Sequence, residues 1–277
     1  MTSLQQLAKR KTIIAAHRGV TGGNVGPNTI EAFEAALAEG ADMLEMDVVR
    51  TSDNRLVVFH LGMEKPHLFR AVHIGEMTEK EVLQLRYING DDVETHQTVQ
   101  SLDTVFQRFK GRCFINVDRA WDDLDLLAEY AKRNGVSDQI ILKSPPEKDY
   151  FYSMEKWAAD FQYMPIITEV DTCSEFLEQS CIKYIGAELV FANETAQVAS
   201  RDYMDSMHEK GKLLWGNAIV FNYKRILSAG HNDDVSILDS PDKGWGWLQD
   251  KGFDIIQTDW PGLVRQYLLS RKGGNNN

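Results

Sequence analysis

The feature that most constrains this chain is a near-continuous alternation of short β-rich runs with amphipathic segments. Such alternation calls for βα units around a parallel sheet, because parallel neighbours need a crossover and a helix is the usual one. Eight runs read as strands: Ile13–His17, Met43–Val49, Cys113–Asp118, Gln139–Lys143, Tyr163–Thr168, Tyr184–Val190, Lys212–Asn217 and Asp254–Thr258. Eight repeats favour closure into a (β/α)₈ TIM barrel, one domain over residues 1–277, with an open doubly wound sheet as the structural competitor. A chain of 277 residues that is 43% hydrophobic has ample material for such a core.

Helical signals fill most gaps. Asn28 with Glu31 three residues on reads as a capping box, the apolar face runs through Ile30, Phe33 and Leu37, and Gly40 ends it. Further helices are expected over Asp122–Arg133, Pro146–Asp160, Cys173–Ser180, Thr195–Lys210 and Pro261–Ser270. One gap is far longer than a usual βα loop. Leu61 to Ser101, after the second strand, is therefore an insertion, with a capping box at Thr78 and Glu81, a short helix to about Leu85, and polar loop from Asn89 to Gln100. The low-complexity tail, Gly273 to Asn277, is expected to be disordered.

Charge and cysteine content exclude several classes of function. A formal net charge of −11 and a pI near 5.1 repel nucleic acid and anionic lipid. A small anion remains acceptable if cations gather where it sits. Cys113, Cys173 and Cys181 form no CxxC pair and are odd in number, so neither a disulfide framework nor a zinc knot is indicated. The segment Met1 to Thr12 is polar and basic, Ile13 to Ala16 is too short for a signal-peptide core, and no run approaches a membrane span. These features lead to an expectation of a cytoplasmic protein without stable membrane insertion. Pairing of barrels into a homodimer is left open.

In a parallel barrel the functional side chains stand at the carboxyl ends of strands. The first strand ends in His17-Arg18-Gly19, the second carries Glu45 and Asp47, a short strand Leu56 to Phe59 delivers His60, and the third main strand ends in Asp118. Glu45 and Asp47 lie two apart and so project to one face, where like charges repel unless one is protonated or a cation compensates them. An all-oxygen set of Glu45, Asp47 and Asp118 suits a hard ion such as Mg²⁺ or Ca²⁺ better than zinc. A polar outer face is the alternative, and periodicity alone does not exclude it, since Met43 shares the acidic face while Leu44, Met46 and Val48 share the other. His17 and His60 both end apolar runs, and imidazoles can serve as acid and base near neutrality. Singly each is more often a satisfied structural residue; their joint occurrence carries the case. Arg18 offers a forked donor to phosphate, or alternatively an ion pair at a strand end. Gly19 lets the backbone turn out of the strand.

These residues resemble the signature of the glycerophosphodiester phosphodiesterases. The stretch AHRG, then PNTIEAFEAALAEGADMLEMDVVRTSDNRLVVFH, follows the family's HRG, P-E-N-T, amphipathic helix, G-A-D turn, E-x-D and later histidine in order and spacing. Weaker likeness continues in MTEKEVLQLR and SLDTVF and returns in LLWGNA and GFDIIQTDWP. The resemblance implies a metal-dependent barrel hydrolase that cleaves a glycerophosphodiester to glycerol phosphate and an alcohol, with a place in lipid and glycerol metabolism. It implies one divalent cation, Mg²⁺ or Ca²⁺ with Mn²⁺ also acceptable, held by Glu45, Asp47 and Asp118. His17 and His60 match the catalytic pair, Arg18 the phosphate contact, and Trp215 and Asn217 residues near the substrate.

Three departures stand out. The family's P-E-N-T is Pro27-Asn28-Thr29, its H-D is His60-Leu61, and the lysine two residues beyond its third ligand is Ala120. Lys143, closing an otherwise apolar strand, is expected to replace the missing charge by meeting the phosphate, with a snorkelling rim lysine as the alternative. Asp118 in place of the family's glutamate also resembles the sphingomyelinase-type phospholipases D, so a sphingomyelinase or lysophospholipase D-like activity is an alternative. So is an inactive barrel that binds a phosphorylated ligand, and, more remotely, a metal-dependent aldolase or lyase. Within the insertion Glu64, His67 and His73 could reach the site, although surface positions are expected for them.

Overall fold

Aliphatic and β-branched residues dominate the eight strand segments, and each segment forms a parallel strand of one closed sheet in the computed structural model, which describes residues 3–220 and 222–274. The strands are β1 (Ile13–His17), β2 (Met43–Arg50), β3 (Phe114–Asp118), β4 (Ile140–Ser144), β5 (Gln162–Thr168), β6 (Gly186–Val190), β7 (Leu213–Asn217) and β8 (Ile255–Thr258). Each pairs with its neighbours in chain order, and β1 closes the ring by pairing with both β2 and β8. The eight expected strands are found within two residues at each end, in a barrel with helices between the strands.

Both faces of these strands are buried, for different reasons. Outward residues such as Leu44, Met46, Ile115 and Leu142 pack under the helices in the main core. Inward residues at the amino ends, among them Ile13, Met43, Phe114, Ile141 and Trp215, fill the barrel axis. A short helix not anticipated from the polar N-terminal segment, Leu4–Ala8, inserts fully buried Leu4 into that axial layer. Ser3 caps it, with Ser3 Oγ accepting from the Gln6 amide at 3.2 Å.

Two local expectations are corrected. The helix after β1 runs Ile30–Ala38 and is capped by Thr29, whose hydroxyl accepts from the Ala32 amide, so Asn28 is not its cap. Asn28 adopts φ 59° and turns its amide to Asp47 instead. Within the insertion, part of the stretch expected as loop is a strand: Glu94–Thr98 pairs antiparallel with Arg86–Ile88. The Thr78–Glu81 capping box is present, heading Glu79–Val82.

The excursion is rooted on β2, whose last residues pair antiparallel with Leu56–Val58, and that strand pairs in turn with Gln100–Ser101. Phe59, Leu68, Ile74, Val82 and Tyr87 form a satellite apolar cluster there. The helix Pro261–Gly274 extends into the tail expected to be disordered; residues 275–277 of that tail lie outside the described residues. Among the described residues no helix is long and apolar enough to cross a membrane.

Candidate active site

Along the barrel axis the inward positions change from apolar to polar as the strands approach their carboxyl ends. Parallel register sets the layers: His17 lies opposite Glu45, and Asp47 opposite Asp118. Glu45 and Asp47 are each 1% exposed, so the reading with a polar face outward is excluded. Periodicity could not decide this because β2 is buried on both sides.

At the end of β1 the chain turns through two left-handed residues, Arg18 at φ 57° and Gly19 at φ 82°. A β-carbon at Gly19 would stand 2.6 Å from the Ala32 carbonyl carbon, so only glycine fits. The turn aims the Arg18 amide at Glu45 Oε2, 3.0 Å away, and brings Arg18 Nε to 2.9 Å from Asp47 Oδ2. That second contact is one of charge, because the Nε–H itself finds no acceptor in hydrogen-bonding geometry. Asn28 grips Asp47 twice: its Nδ2 donates to Oδ2 at 2.9 Å, and its Oδ1 accepts from the Asp47 amide at 3.1 Å.

Glu45, Asp47 and Asp118 each offer a carboxylate oxygen, and the three oxygens lie within 4.8 Å of one another. Burial, then the charge of Asp47, pushes Glu45 up to about 7. Burial likewise raises Asp118 against the opposing pull of Lys143. Asp118 Oδ1 is buried and accepts from no donor among the described residues. Three crowded carboxylates with an unmet lone pair are a cluster that could bind a metal, and an oxygen-only donor set fits a hard divalent ion.

The two histidines approach from different elements. His17 Nδ1 donates to Asp259 Oδ1 at 2.8 Å. The Asp259 amide is in turn held by Asp233 Oδ2 at 2.9 Å, and buried Asp233 also accepts from Trp245 Nε1 and Thr258 Oγ1. Burial disfavours the charged form of His17, yet its hydrogen bond to Asp259 and the charge of Glu45 outweigh this and raise its pKa. His60 hangs from the excursion, its Nε2 3.9 Å from Asp47 Oδ1 and its Nδ1 buried with no hydrogen-bond partner among the described residues. Burial lowers the His60 pKa; Asp47 opposes this, while Arg18 and Arg119 add to it.

A cavity of about 510 Å³ opens over these groups, lined by His17, Arg18, Glu45, His60 and Asp118 together with Arg119, Lys143, Glu188, Asn217 and Gln257. A second, of about 440 Å³, shares His17 and Arg18 and runs between Asp259-Trp260 and the excursion. Lys143 lies beside the site but is already engaged: its Nζ is 2.6 Å from Glu188 Oε2 and 4.3 Å from the centre of the Trp215 ring. Asn217 Nδ2 donates to the other Glu188 oxygen at 2.8 Å. Trp215 is fully buried, so it backs Lys143 and Gln257 from below and has no surface to offer a substrate.

Of the insertion residues, Glu64 is buried and accepts from the Ile74 amide, contrary to the surface position expected. His67 lines the second cavity against Phe59, and burial, then Arg18, lowers it to about 4. His73 is exposed. Four residues of the site escaped the sequence reading: Asn28 in its bridging role, Arg119, Glu188 and Asp259. Glu188 carried a signal, being one acid in the apolar run Gly186–Val190.

Comparison with known proteins agrees with the barrel fold. Over a segment of 50 residues the chain is 52% identical to a glycerophosphodiester phosphodiesterase of Caldanaerobacter subterraneus, and over 49 residues 55% identical to one of Bacillus altitudinis. Each segment covers 18% of this chain and spans about a fifth, 20%, of the relative's length. Among solved structures, a glycerophosphoryl diester phosphodiesterase of Parabacteroides distasonis shares the fold at TM-score 0.79, with 18% identity over 98% of this chain and 93% of that one. A glycerophosphodiester phosphodiesterase of Thermotoga maritima matches at TM-score 0.67, with 21% identity over 92% and 98% of the two chains. Residues 163–268 match a domain family of unknown function. Residues 17–178, more than half of the chain and including His17, His60 and all three clustered carboxylates, match the sequence profile of the glycerophosphoryl diester phosphodiesterase family, and the chain belongs to that family.

Proposed function

We propose that this protein hydrolyses glycerophosphodiesters to glycerol phosphate and an alcohol. The observation that carries the reading is a cluster of three carboxylates, Glu45, Asp47 and Asp118, two of which, Glu45 and Asp118, line one cavity with both imidazoles. Glu45, Asp47 and Asp118 would hold one divalent cation, Mg²⁺ or Ca²⁺, with Mn²⁺ as an acceptable substitute. Such an ion supplies Lewis-acid stabilisation of the charge on the phosphoryl oxygens.

The chain's own residues account for the rest. Arg18, fixed by the turn at Gly19, presents its guanidinium to the phosphate. One imidazole of the His17 and His60 pair removes the proton from the attacking oxygen, whether of water or of a neighbouring substrate hydroxyl, and the other protonates the departing alcohol. Asp259 commits Nδ1 of His17, which leaves Nε2 as that ring's exchanging position. The Lys143, Glu188 and Asn217 group offers donors and acceptors suited to glycerol hydroxyls, with Trp215 as its backing. The two cavities flanking His17 give room for both arms of a diester.

Phosphorus NMR over glycerophosphocholine, glycerophosphoethanolamine, glycerophosphoinositol and lysophospholipids tests this reading and also reports any cyclic product. Glycerol phosphate should form, disappear with EDTA, and return with Mg²⁺, Ca²⁺ or Mn²⁺. Turnover confined to the lysophospholipids would move the assignment to a lysophospholipase D. Ligand-dependent melting shifts with no turnover under any metal would make the protein a binding barrel.

A further inference from the structure

We propose that Arg119 is a phosphate-contacting residue of this site and takes the part expected of Lys143. The inference rests on reading the 510 Å³ cavity as a phosphodiester site. Lys143 is poorly placed to receive an anion, since its side chain is 3% exposed and its charge is met by Glu188. To bind phosphate it would have to abandon a buried carboxylate that, among the described residues, retains only Asn217 as donor.

Arg119 has the opposite properties. Had β3 continued its alternation past Asp118, residue 119 would share the outward face of Val117, which lies in the core beneath the helices. Instead Arg119 adopts φ 58°, an uncommon conformation for a residue with a side chain, and the next residue, Ala120, enters that outer core. The change of direction leaves the Arg119 side chain lining the cavity, half exposed at 49%, with Nε 3.5 Å from Asp47 Oδ1. Arg18 reaches the other oxygen of the same carboxylate from β1, at 2.9 Å from Oδ2. Two guanidiniums thus meet the two oxygens of Asp47, one from the end of β1 and one from the end of β3. The Arg119 contact is too long for a hydrogen bond, so its donors can turn to an arriving anion at little cost. A strained backbone that points a long cation into a cavity is explained by a ligand there better than by its loose ion pair with Asp47.

The test is calorimetric binding of inorganic phosphate, with Mg²⁺ and separately with Ca²⁺, alongside diester turnover. Variants are Arg119→Ala, Arg119→Lys, Arg18→Ala, and the paired change Lys143→Met with Glu188→Gln, which removes the lysine charge without stranding the glutamate. Arg119→Ala should weaken phosphate binding by about tenfold or more, as loss of one charge-assisted contact does. Arg119→Lys should recover part of it, and kcat/KM should fall in step while Tm holds. Undiminished phosphate binding by Arg119→Ala, with loss in Arg18→Ala, would overturn the assignment and leave the phosphodiester site standing. Loss of binding in the paired variant alone would return the role to Lys143. A wild-type protein that neither binds phosphate nor cleaves a diester would overturn both.

Discussion

The Lys143–Glu188 pair permits a quantitative prediction. Lys143 sits between a carboxylate oxygen at 2.6 Å and the face of Trp215, and the two side chains are 3% and 10% exposed. Replacing Lys143 with Met keeps volume and contact with the indole but leaves the buried Glu188 carboxylate with Asn217 as its one donor among the described residues. Breaking one partner out of a buried pair costs roughly 3–5 kcal/mol, and the cavity beside Glu188 puts this case near ~3. An unfolding entropy of about 2.1 cal/mol/K per residue gives a 277-residue chain ~0.6 kcal/mol/K, so Tm should fall by about 5 °C. Adding Glu188→Gln removes the stranded charge and keeps an acceptor for Asn217, and stability should return to within about 1.5 kcal/mol of wild type. Urea unfolding of the wild type, both single variants and the double variant at neutral pH measures each term. A loss below about 1 kcal/mol for Lys143→Met, or a double variant no more stable than it, would show that the pair does not hold the charge balance of the site.

His17→Ala and His60→Ala should each lower turnover by at least ~10², the lower range for loss of a general acid or base, with folding checked by circular dichroism; near-normal turnover in either rejects its role. Gly19→Ala forces a β-carbon against the Ala32 backbone at φ 82° and should destabilise the protein by more than ~2 kcal/mol in urea. His208 is raised chiefly by its hydrogen bond to Asp254, so its stabilisation is complete below the unfolded pKa of ~6.5 and fades as pH rises through the folded value. Wild type should therefore be more stable than His208→Ala near about pH 5.5, by no more than ~1 kcal/mol for so exposed a pair, and the gap should close at alkaline pH. A gap that does not vary with pH in thermal melts contradicts this.

The barrel was legible because its strands are short, apolar and regularly spaced, and strand ends advertise chemistry wherever a polar residue closes an apolar run. His17, Glu45, Asp47, His60 and Asp118 could be found in that way, and the structure brings them together. What stayed hidden depends on backbone direction and on partners distant in sequence. Asn28 has the composition of a helix cap, but the left-handed turn preceding Thr29 gives the cap to its neighbour and sends Asn28 to Asp47. Lys143 and Glu188 are each a lone charge in an apolar strand, but that they meet across 45 residues of sequence is something no local pattern encodes. Arg119 was masked by the assumption that alternation continues to the end of a strand. The helix Leu4–Ala8 was missed although Ser3 with Gln6 forms a capping box and Leu4, Leu7 and Ala8 stand at helical spacing, because five residues make little more than one turn.

The two imidazoles belong to parts of the protein with different pedigrees. His17 is built into the ring of eight strands, whereas His60 follows a strand that pairs antiparallel to the end of β2 and leads into a cluster with its own small core. Exchanging that excursion for another would leave the hydrogen bonds between the eight strands intact while carrying off His60, one of the two imidazoles proposed to transfer protons. New chemistry could therefore arise on this scaffold by replacing one segment of the chain, without any change to the strands that hold the acidic cluster.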